Sequence, residues 1–249
     1  SVTADLEHDG TAFEARLVRW KGDKIDRLTI GVEGDAMAAK AAVEGGRFAV
    51  ADVETKPLTR NPPPPFTTST LQQEAARKLY LPVGITMQIA QRLYEAGMIT
   101  YMRTDSTTLS KEAMSAARGQ VRSMYGEEYL HPTPRTYDKK AKNAQEAHEA
   151  IRPAGSSFRT PQQTGLKDRE FRLYDLVWKR TVASQMAEAR QTNITMQIQV
   201  EDAGFRSSGK RIDFPGFFRA YVEGSDDPEA ELEGREKTLP PLKQDDKLK

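Results

Sequence analysis

Four consecutive prolines, Pro62 to Pro65, divide the chain into parts of different character. Proline fixes its own φ and carries no backbone N–H, so the run can continue neither a helix nor a central strand. It is expected to form a stiff, polyproline-like connector. The residues before it alternate between apolar and polar, whereas those after it repeat at helical spacing. The run therefore predicts a boundary between a β-rich part and a helical part.

The first sixty residues are expected to form strands and one short helix. Alternating apolar residues from Phe13 to Leu17 precede a Lys21-Gly22-Asp23 turn, a pattern typical of a β-hairpin. Asp35 can cap a helix over 36–43. Strand character resumes over 47–54. These features together predict a small α+β unit.

Strand patterns return after residue 190. Alternation over 194–200 predicts one strand, and two more are expected over 204–208 and 217–222. Residues 223–249 are charged and lack a regular period, so they are expected to be a loose tail or the start of another segment. The simplest α+β arrangement inserts a helical domain into a split β-rich domain, with limits of 61–190 for the former and 1–60 and 191–222 for the latter.

The helical part is expected to begin with a helix-turn-helix-like core. Ser69 and Thr70 can cap a helix that runs to Leu79, and a second helix ends at Gly97. A third helix, capped by Ser110, is expected from Lys111 to Tyr125. Further helices are predicted over 143–151 and 168–189.

A tyrosine, an arginine, an aspartate and three hydroxyls lie within the ten residues from Gly97 to Ser106. The run from Met98 to Met102 has the β-branched and aromatic content of a short strand, in which residues two apart face the same way. Tyr101 and Arg103 are therefore expected to project together. A guanidinium can hold phosphate oxygens bidentately, and a cation beside a phenol favours its nucleophilic form. The pair predicts chemistry on a phosphate; a half-buried strand tyrosine beside a solvated arginine is the alternative.

The charge balance restricts how this chain can contact nucleic acid. It has 37 basic and 36 acidic residues, which is too balanced for a surface that binds nucleic acid throughout. A local basic face remains, formed by Arg135, Lys139, Lys140, Lys142 and Arg152. Tyr137 among them could stack on an unpaired base. A solvated loop is the alternative for this segment.

Metal and membrane functions have little support in the composition. The chain has no cysteine, and its three histidines do not have metal-ligand spacing, so no transition-metal site is expected. No apolar run is long enough to cross a bilayer, and the first residues do not form a signal peptide. A cytoplasmic location without membrane contact is therefore expected.

Three sequence blocks together resemble a known family. They are Phe66-Thr67-Thr68-Ser69-Thr70-Leu71-Gln72-Gln73-Glu74-Ala75, Ile99-Thr100-Tyr101-Met102-Arg103-Thr104-Asp105-Ser106 and Asn143-Ala144-Gln145-Glu146-Ala147-His148-Glu149-Ala150-Ile151-Arg152-Pro153. In this order they resemble the type IA DNA topoisomerases, in the bacterial topoisomerase I form. The resemblance implies a toroidal arch, in which a β domain lifts a helical domain that carries the reactive tyrosine.

The resemblance also implies roles for individual residues. Tyr101 would attack a phosphodiester of single-stranded DNA and form a 5′-phosphotyrosine, whose reversal relaxes negative supercoils. Arg103 would stabilise charge on the phosphate and His148 would contact it, although a histidine in the last turn of a helix can instead interact with the helix dipole. Asp105 could orient Arg103 or cap a turn. The DNA-binding residues implied are Arg103, Thr104, Asp105, Lys142, His148 and Arg152.

The resemblance places the magnesium-binding acidic residues in an N-terminal domain that lies outside this sequence. No metal site is therefore expected here, and this fragment alone is expected to be deficient in relaxation. Its partners would be DNA, chiefly single-stranded, and the remaining domains of the same enzyme. Two alternatives remain: a non-catalytic module that binds single-stranded DNA, and a structural hinge.

Overall fold

The computed structural model describes residues 2–25, 29–137, 149–222 and 239–248, and mixes helix with sheet. The chain divides into two compact units. The β unit comprises Ser1–Leu58, Gln191–Asp213 and Gly234–Lys249, and the helical unit comprises Thr59–Arg190 and Phe214–Glu233. No helix in the described ranges is long and apolar enough to cross a membrane.

The β unit is built on a sheet whose described strands follow the order β1-β2-β6-β5-β4-β7, with β3 paired to β2. Among the described residues, the helix of this unit is α1 (Glu33–Val43). The strands are β1 (Thr3–His8), β2 (Thr11–Trp20), β3 (Asp23–Lys24), β4 (Phe48–Arg60), β5 (Ala189–Val200), β6 (Ala203–Phe214) and β7 (Lys247–Leu248).

The predicted hairpin is confirmed, since β2 and β3 pair antiparallel. Lys21 and Gly22 turn the chain with φ values of 52° and 86°. The alternating apolar residues of β2 and β5 are buried in one core with Ala39 and Val43 of α1. The expected Asp35 cap is wrong, because the N-cap is Val32 and has no side-chain hydrogen bond. Asp35 lies in the first turn instead, where its charge favours the helix dipole.

The end of the chain also differs from expectation. Leu239, Leu242 and Leu248 are buried in the core of the β unit. β7 pairs antiparallel with β4, with Leu248 opposite Phe48. The tail is therefore not loose over 239–248, because three leucines spaced among charged residues remove enough apolar surface from water to hold it. Residues 223–238 lie outside the described ranges.

Four α-helices lie among the described residues of the helical unit. They are α2 (Thr68–Leu79), α3 (Val83–Glu95), α4 (Lys111–Tyr125) and α5 (Asp168–Ala183). Ser110 caps α4 as predicted, accepting a hydrogen bond from the N–H of Ala113. The cap of α2 is Thr67, which forms a capping box with Thr70, rather than Ser69 or Thr70.

Two predicted elements of this unit are wrong in their ends or type. α5 stops at Ala183 instead of continuing to 189, because the next residues bond across the chain: the N–H of Ala187 donates to the carbonyl of Tyr129 at 2.7 Å. The strand expected over 217–222 is a short 3-10 turn, Gly216–Arg219. Its aromatic residues and Tyr221 are buried in the core of the helical unit. Residues 214–222 therefore belong with the helices and not with the β-rich domain.

Candidate active site

The segment that carries Tyr101 follows α3 without forming a strand. Gly97 turns the chain with a φ of 67°, and its N–H bonds the Tyr94 carbonyl at 2.9 Å. Only an isolated antiparallel bridge joins Ile99 to Pro153 in place of the expected strand over 98–102. We call residues 97–109 the Tyr101 segment. Several of its backbone groups form individual bonds to neighbouring loops and side chains, as those of Thr100 and Thr104 do, and its conformation is irregular.

The alternation expected of Tyr101 and Arg103 is present despite the missing strand. Met102 is 2% exposed and anchors the segment in the helical core, whereas Tyr101 is 48% exposed and Arg103 is also exposed. The Tyr101 ring meets the ring of Tyr94 edge to face, with centroids 5.3 Å apart. The phenol and the guanidinium are thus both available to a ligand, and one aromatic neighbour supports the tyrosine ring.

Arg103 is a cation without a carboxylate partner among the described residues. It lines two open grooves, of about 460 and 520 Å³. The first lies at the beginning of α2 and the second along α3. Their other lining residues are Thr67, Thr68, Ser69, Thr104 and Asp105 in the first and Gly84, Met87, Gln88, Gln91 and Arg92 in the second. A guanidinium without a carboxylate partner, in a groove that is also lined by threonine and serine side chains, suits a phosphate.

The turn after Arg103 is capped by hydroxyls. The Thr104 hydroxyl accepts the N–H of Ser106 at 3.1 Å, and the Ser106 hydroxyl accepts the N–H of Thr108 at 3.1 Å. Asp105 is exposed, and within the described ranges its carboxylate neither caps this turn nor bonds Arg103. The expectation that Asp105 serves one of those two purposes is therefore wrong for this structure.

The residues directly after position 148 lie against the Tyr101 segment. The Thr100 hydroxyl donates to the Ala150 carbonyl at 2.7 Å, and the Thr100 N–H donates to the Arg152 carbonyl at 2.9 Å. The N–H of Ala150 donates to the Thr108 carbonyl at 2.9 Å. His148, Lys142 and residues 143–148 of the helix expected over 143–151 lie outside the described ranges. The last three residues of that expected helix, 149–151, are not helical, and Ile151 forms an isolated bridge with Phe66.

The described ranges contain no group of three or more histidine, aspartate or glutamate side chains that could hold a metal ion. The sequence has no cysteine to add to such a group. The residues of the Tyr101 segment offer a single carboxylate, that of Asp105. What they can hold is an anion, through Arg103.

Comparison with known proteins decides the family. The family model described as DNA topoisomerase matches residues 1–249. The chain belongs to the type IA DNA topoisomerases. It is 55% identical over 262 residues to DNA topoisomerase 1 of Synechocystis sp., a match that covers 99% of this chain and 29% of the relative. DNA topoisomerase 1 of Streptomyces coelicolor is 58% identical over 221 residues, covering 87% of this chain and 23% of the relative.

A solved structure agrees with this topoisomerase assignment. Full-length topoisomerase I from Thermotoga maritima resembles the chain with a TM-score of 0.73 and 30% sequence identity. The match covers 100% of this chain and 39% of that one. The chain therefore spans between 23% and 39% of the length of these relatives.

Arg152, in the downstream topoisomerase block, is 8% exposed and bonded within the protein. Its Nη2 donates to Glu149 Oε2 at 2.6 Å, and its Nη1 donates to the carbonyls of Pro153 and Gly155 at 2.8 and 3.0 Å. Glu149 Oε1 accepts the N–H of Ser110 at 2.7 Å. Burial alone would raise the pKa of Glu149, but the bonds from Arg152 and Ser110 outweigh it and lower that pKa. The pair joins the downstream block to the start of α4.

Two residues of the expected basic face are also bonded internally. Arg135 Nη2 forms an ion pair with Glu188 at 3.0 Å, and Arg135 Nε donates to the Met186 carbonyl at 3.0 Å. The Tyr137 hydroxyl donates to the Ser184 carbonyl at 2.8 Å, and burial raises the pKa of Tyr137 to about 12. Arg135 and Tyr137 are therefore half-buried, and their polar groups are bonded within the protein.

Sequence reasoning missed Tyr94 and Thr68. Tyr94 lies seven positions before Tyr101, in the last turn of α3, and only the sharp turn at Gly97 brings the two rings together. Thr68 stands within the first topoisomerase block, but nothing in its spacing shows that it bonds a segment thirty-six residues away. A contact across such a separation depends on tertiary packing.

Proposed function

We propose that this chain supplies the nucleophile and the phosphate-binding arginine of a type IA topoisomerase, which cleaves and rejoins single-stranded DNA to relax negative supercoils. The observation that carries the proposal is the placement of Tyr101 and Arg103. Both are exposed on either side of buried Met102, and Arg103 has no carboxylate partner in the described ranges. A purely structural tyrosine and arginine would be packed or paired.

The proposed reaction is a transesterification. The Tyr101 hydroxyl loses its proton and its oxygen bonds the phosphorus, while the bond from phosphorus to the 3′ oxygen breaks and that oxygen takes up a proton. The 5′ end is then held as a phosphotyrosine, and attack by the 3′ hydroxyl reverses the step. Arg103 would stabilise the charge on the non-bridging oxygens, a contribution worth about 2.7–4 kcal/mol at comparable sites.

His148 is proposed to contact the same phosphate or the adjacent one. The support is that two residues just after it, Ala150 and Arg152, bond the Tyr101 segment. Thr104, Asp105 and Lys142 remain proposed DNA contacts. Arg152 is a weaker one, because its guanidinium is committed to Glu149 and two carbonyls.

Magnesium belongs to the proposal only through the rest of the enzyme. The described residues do not provide an acidic group of the kind the ion prefers, and no step is assigned to it here. The chain spans 29% of the Synechocystis relative, so we propose that it works with further domains in a toroidal arch and is deficient in relaxation alone. The proposed location of the enzyme is the cytoplasm.

The test uses a chimera in which this chain replaces the matching segment of the Synechocystis topoisomerase. The chimera is mixed with a 3′-labelled single-stranded oligonucleotide, and covalent adducts are resolved on a denaturing gel. We expect an adduct that is lost in Tyr101→Phe and kept in Tyr94→Phe. The second variant is a matched control, since Tyr94 is the other exposed tyrosine of the contacting pair.

The two alternatives give different results in this assay. A DNA-binding module would retain the oligonucleotide at low salt without forming an adduct. A structural hinge would neither retain the oligonucleotide nor form an adduct. An adduct that survives Tyr101→Phe would refute the assignment of the nucleophile.

A further inference from the structure

Half-buried Thr68, in the first turn of α2, forms several hydrogen bonds to the backbone of the Tyr101 segment. The Thr68 hydroxyl donates towards the carbonyl oxygens of Met102 and Thr104, at 2.8 and 3.1 Å. The same hydroxyl accepts the N–H of Thr104 at 2.9 Å. The backbone N–H of Thr68 also donates to the Thr104 carbonyl at 2.9 Å. A single residue thus bonds the backbone on both sides of Arg103.

These bonds fix the backbone conformation of Arg103. The carbonyl of Met102 and the N–H of Thr104 belong to the two planar peptide groups that flank the Arg103 Cα. Because each peptide group is rigid, their relative rotation sets the φ and ψ of Arg103. Holding both groups with one hydroxyl therefore sets the direction of the Arg103 Cα–Cβ bond, from which its side chain leaves the chain.

α2 is a firm support for this hydroxyl. Thr67 and Thr70 close its first turn with a capping box. Farther along, buried Glu74 accepts the Tyr221 hydroxyl at 2.6 Å, and Leu71 is fully buried. The far side of Tyr101 is held separately, by Thr100. An irregular segment held at both flanks by packed elements keeps its reactive groups in place without being a strand.

We propose that Thr68 is a positioning residue for DNA cleavage, setting Arg103 and Tyr101 in the geometry that the phosphoryl transfer needs. The inference rests on the proposed function. Thr68 need not touch the DNA, and its effect is on the alignment of the groups that do. Misplacement of a reacting group by about 1 Å can slow an enzyme on the order of 100-fold.

The experiment compares Thr68→Val, Thr68→Ser and Thr164→Val in the same chimera. Valine keeps the shape of threonine without its hydroxyl, whereas serine keeps the hydroxyl. Thr164 is the matched control: its half-buried hydroxyl also donates to a carbonyl, of Pro161 at 2.6 Å, and accepts an N–H, of Leu166 at 3.2 Å, but in a 3-10 turn. The single-turnover rate of adduct formation and the affinity for the oligonucleotide are measured separately.

We expect Thr68→Val to slow adduct formation by about 10- to 100-fold, the range of a misaligned reacting group. Its affinity for the oligonucleotide should change by less than about threefold, since contacts to the DNA backbone supply most of the affinity. Thr68→Ser should restore most of the rate, and Thr164→Val should not alter it. An unchanged rate in Thr68→Val, or equal losses in both valine variants, would overturn the proposal. Failure of the unmodified chimera to form an adduct would instead refute the proposed function.

A measurement on the unmodified chain keeps the proposal testable if the valine variant does not fold. The N–H of Thr104 should exchange slowly with solvent, because it donates to the Thr68 hydroxyl in a half-buried position. Slow exchange at this amide would support a persistent hydrogen bond between the Thr104 N–H and the Thr68 hydroxyl. Exchange as fast as that of an open loop would show that the bond does not persist, and would overturn the proposal.

Discussion

Replacing Glu149 with glutamine tests how the downstream block is held. Each carboxylate oxygen accepts one strong bond, Oε1 from the N–H of Ser110 at 2.7 Å and Oε2 from Arg152 at 2.6 Å. Glutamine offers one acceptor oxygen, and its NH₂ group would face one of these donors. The change therefore removes a charge-assisted bond and places two donors against each other.

The expected loss of unfolding free energy is about 2 kcal/mol. A hydrogen bond to a charged group contributes about 1.5–3 kcal/mol, and breaking a fully buried pair costs about 3–5 kcal/mol. The Arg152 side chain is 9% exposed but that of Glu149 is 28% exposed, so the lower range applies. Arg152 also keeps its two carbonyl acceptors.

The assay follows urea unfolding through Trp178, which is buried in α5 of the helical unit. The chain has two tryptophans, so a Trp20→Phe background leaves Trp178 as the sole indole reporter. Glu127→Gln is the matched control, since Glu127 pairs with Arg122 at 2.9 Å while both side chains are more than half exposed. That variant should lose less than about 1 kcal/mol.

The stabilisation by the Glu149 carboxylate should depend on pH. The pKa of Glu149 is lowered in the folded protein, so the carboxylate stabilises the fold above its ordinary pKa of 4.5. That stabilisation is lost as the pH falls from 4.5 through the lower, folded value. The difference in unfolding free energy between the unmodified chain and Glu149→Gln should therefore become smaller below pH 4.5. A difference that is constant across this range, or equal losses in Glu149→Gln and Glu127→Gln, would refute the reasoning.

Three other substitutions test the packing of the helical unit by the same assay. Gly216→Ala should destabilise it by more than about 3 kcal/mol, because an added Cβ would lie within 2.7 Å of backbone atoms at a φ of 50°. Gly155→Ala should lose only about 1 kcal/mol, since its φ of 83° is unfavourable but its Cβ would meet nothing within 4 Å. Tyr221→Phe should lose about 2–3 kcal/mol, because its fully buried hydroxyl donates to Glu74 and accepts from Arg180; a loss below about 0.5 kcal/mol would contradict that role.

Local patterns predicted the elements whose ends carry local signals. Ser110 and Gly126 mark α4, whose observed bounds are those predicted. The hairpin turn at Lys21 and Gly22 needs positive φ values that its residues supply. In these cases the capping or turn residue and the hydrophobic period agree, so sequence alone is sufficient.

The errors arise where tertiary contacts override local preference. Phe217 and Tyr221 have strand-like neighbours, but they are buried among helices and the chain follows that packing. Residues 223–249 are charged and lack a regular period, which predicts a loose tail or the start of another segment, yet Leu239 and Leu248 are buried in the core of the β unit. The ion pair of Arg152 with Glu149 likewise depends on packing, because a charge in a sequence gives no sign of its partner; the DNA contact implied for Arg152 stays a prediction.

The hydroxyls around Tyr101 show that the sequence can indicate where the candidate site lies without showing what each residue of it does. Their density first indicated phosphate chemistry, but three of them serve the backbone: Thr100 bonds the downstream block, and Thr104 and Ser106 cap the following turn. An irregular segment has no ladder to satisfy its polar groups, so side chains must do so. With those bonds made locally, Tyr101 and Arg103 are left to face a ligand. The hydroxyl residues by which the segment can be recognised in the sequence therefore mainly bond its irregular backbone. The proposed chemistry depends on two other side chains, those of Tyr101 and Arg103.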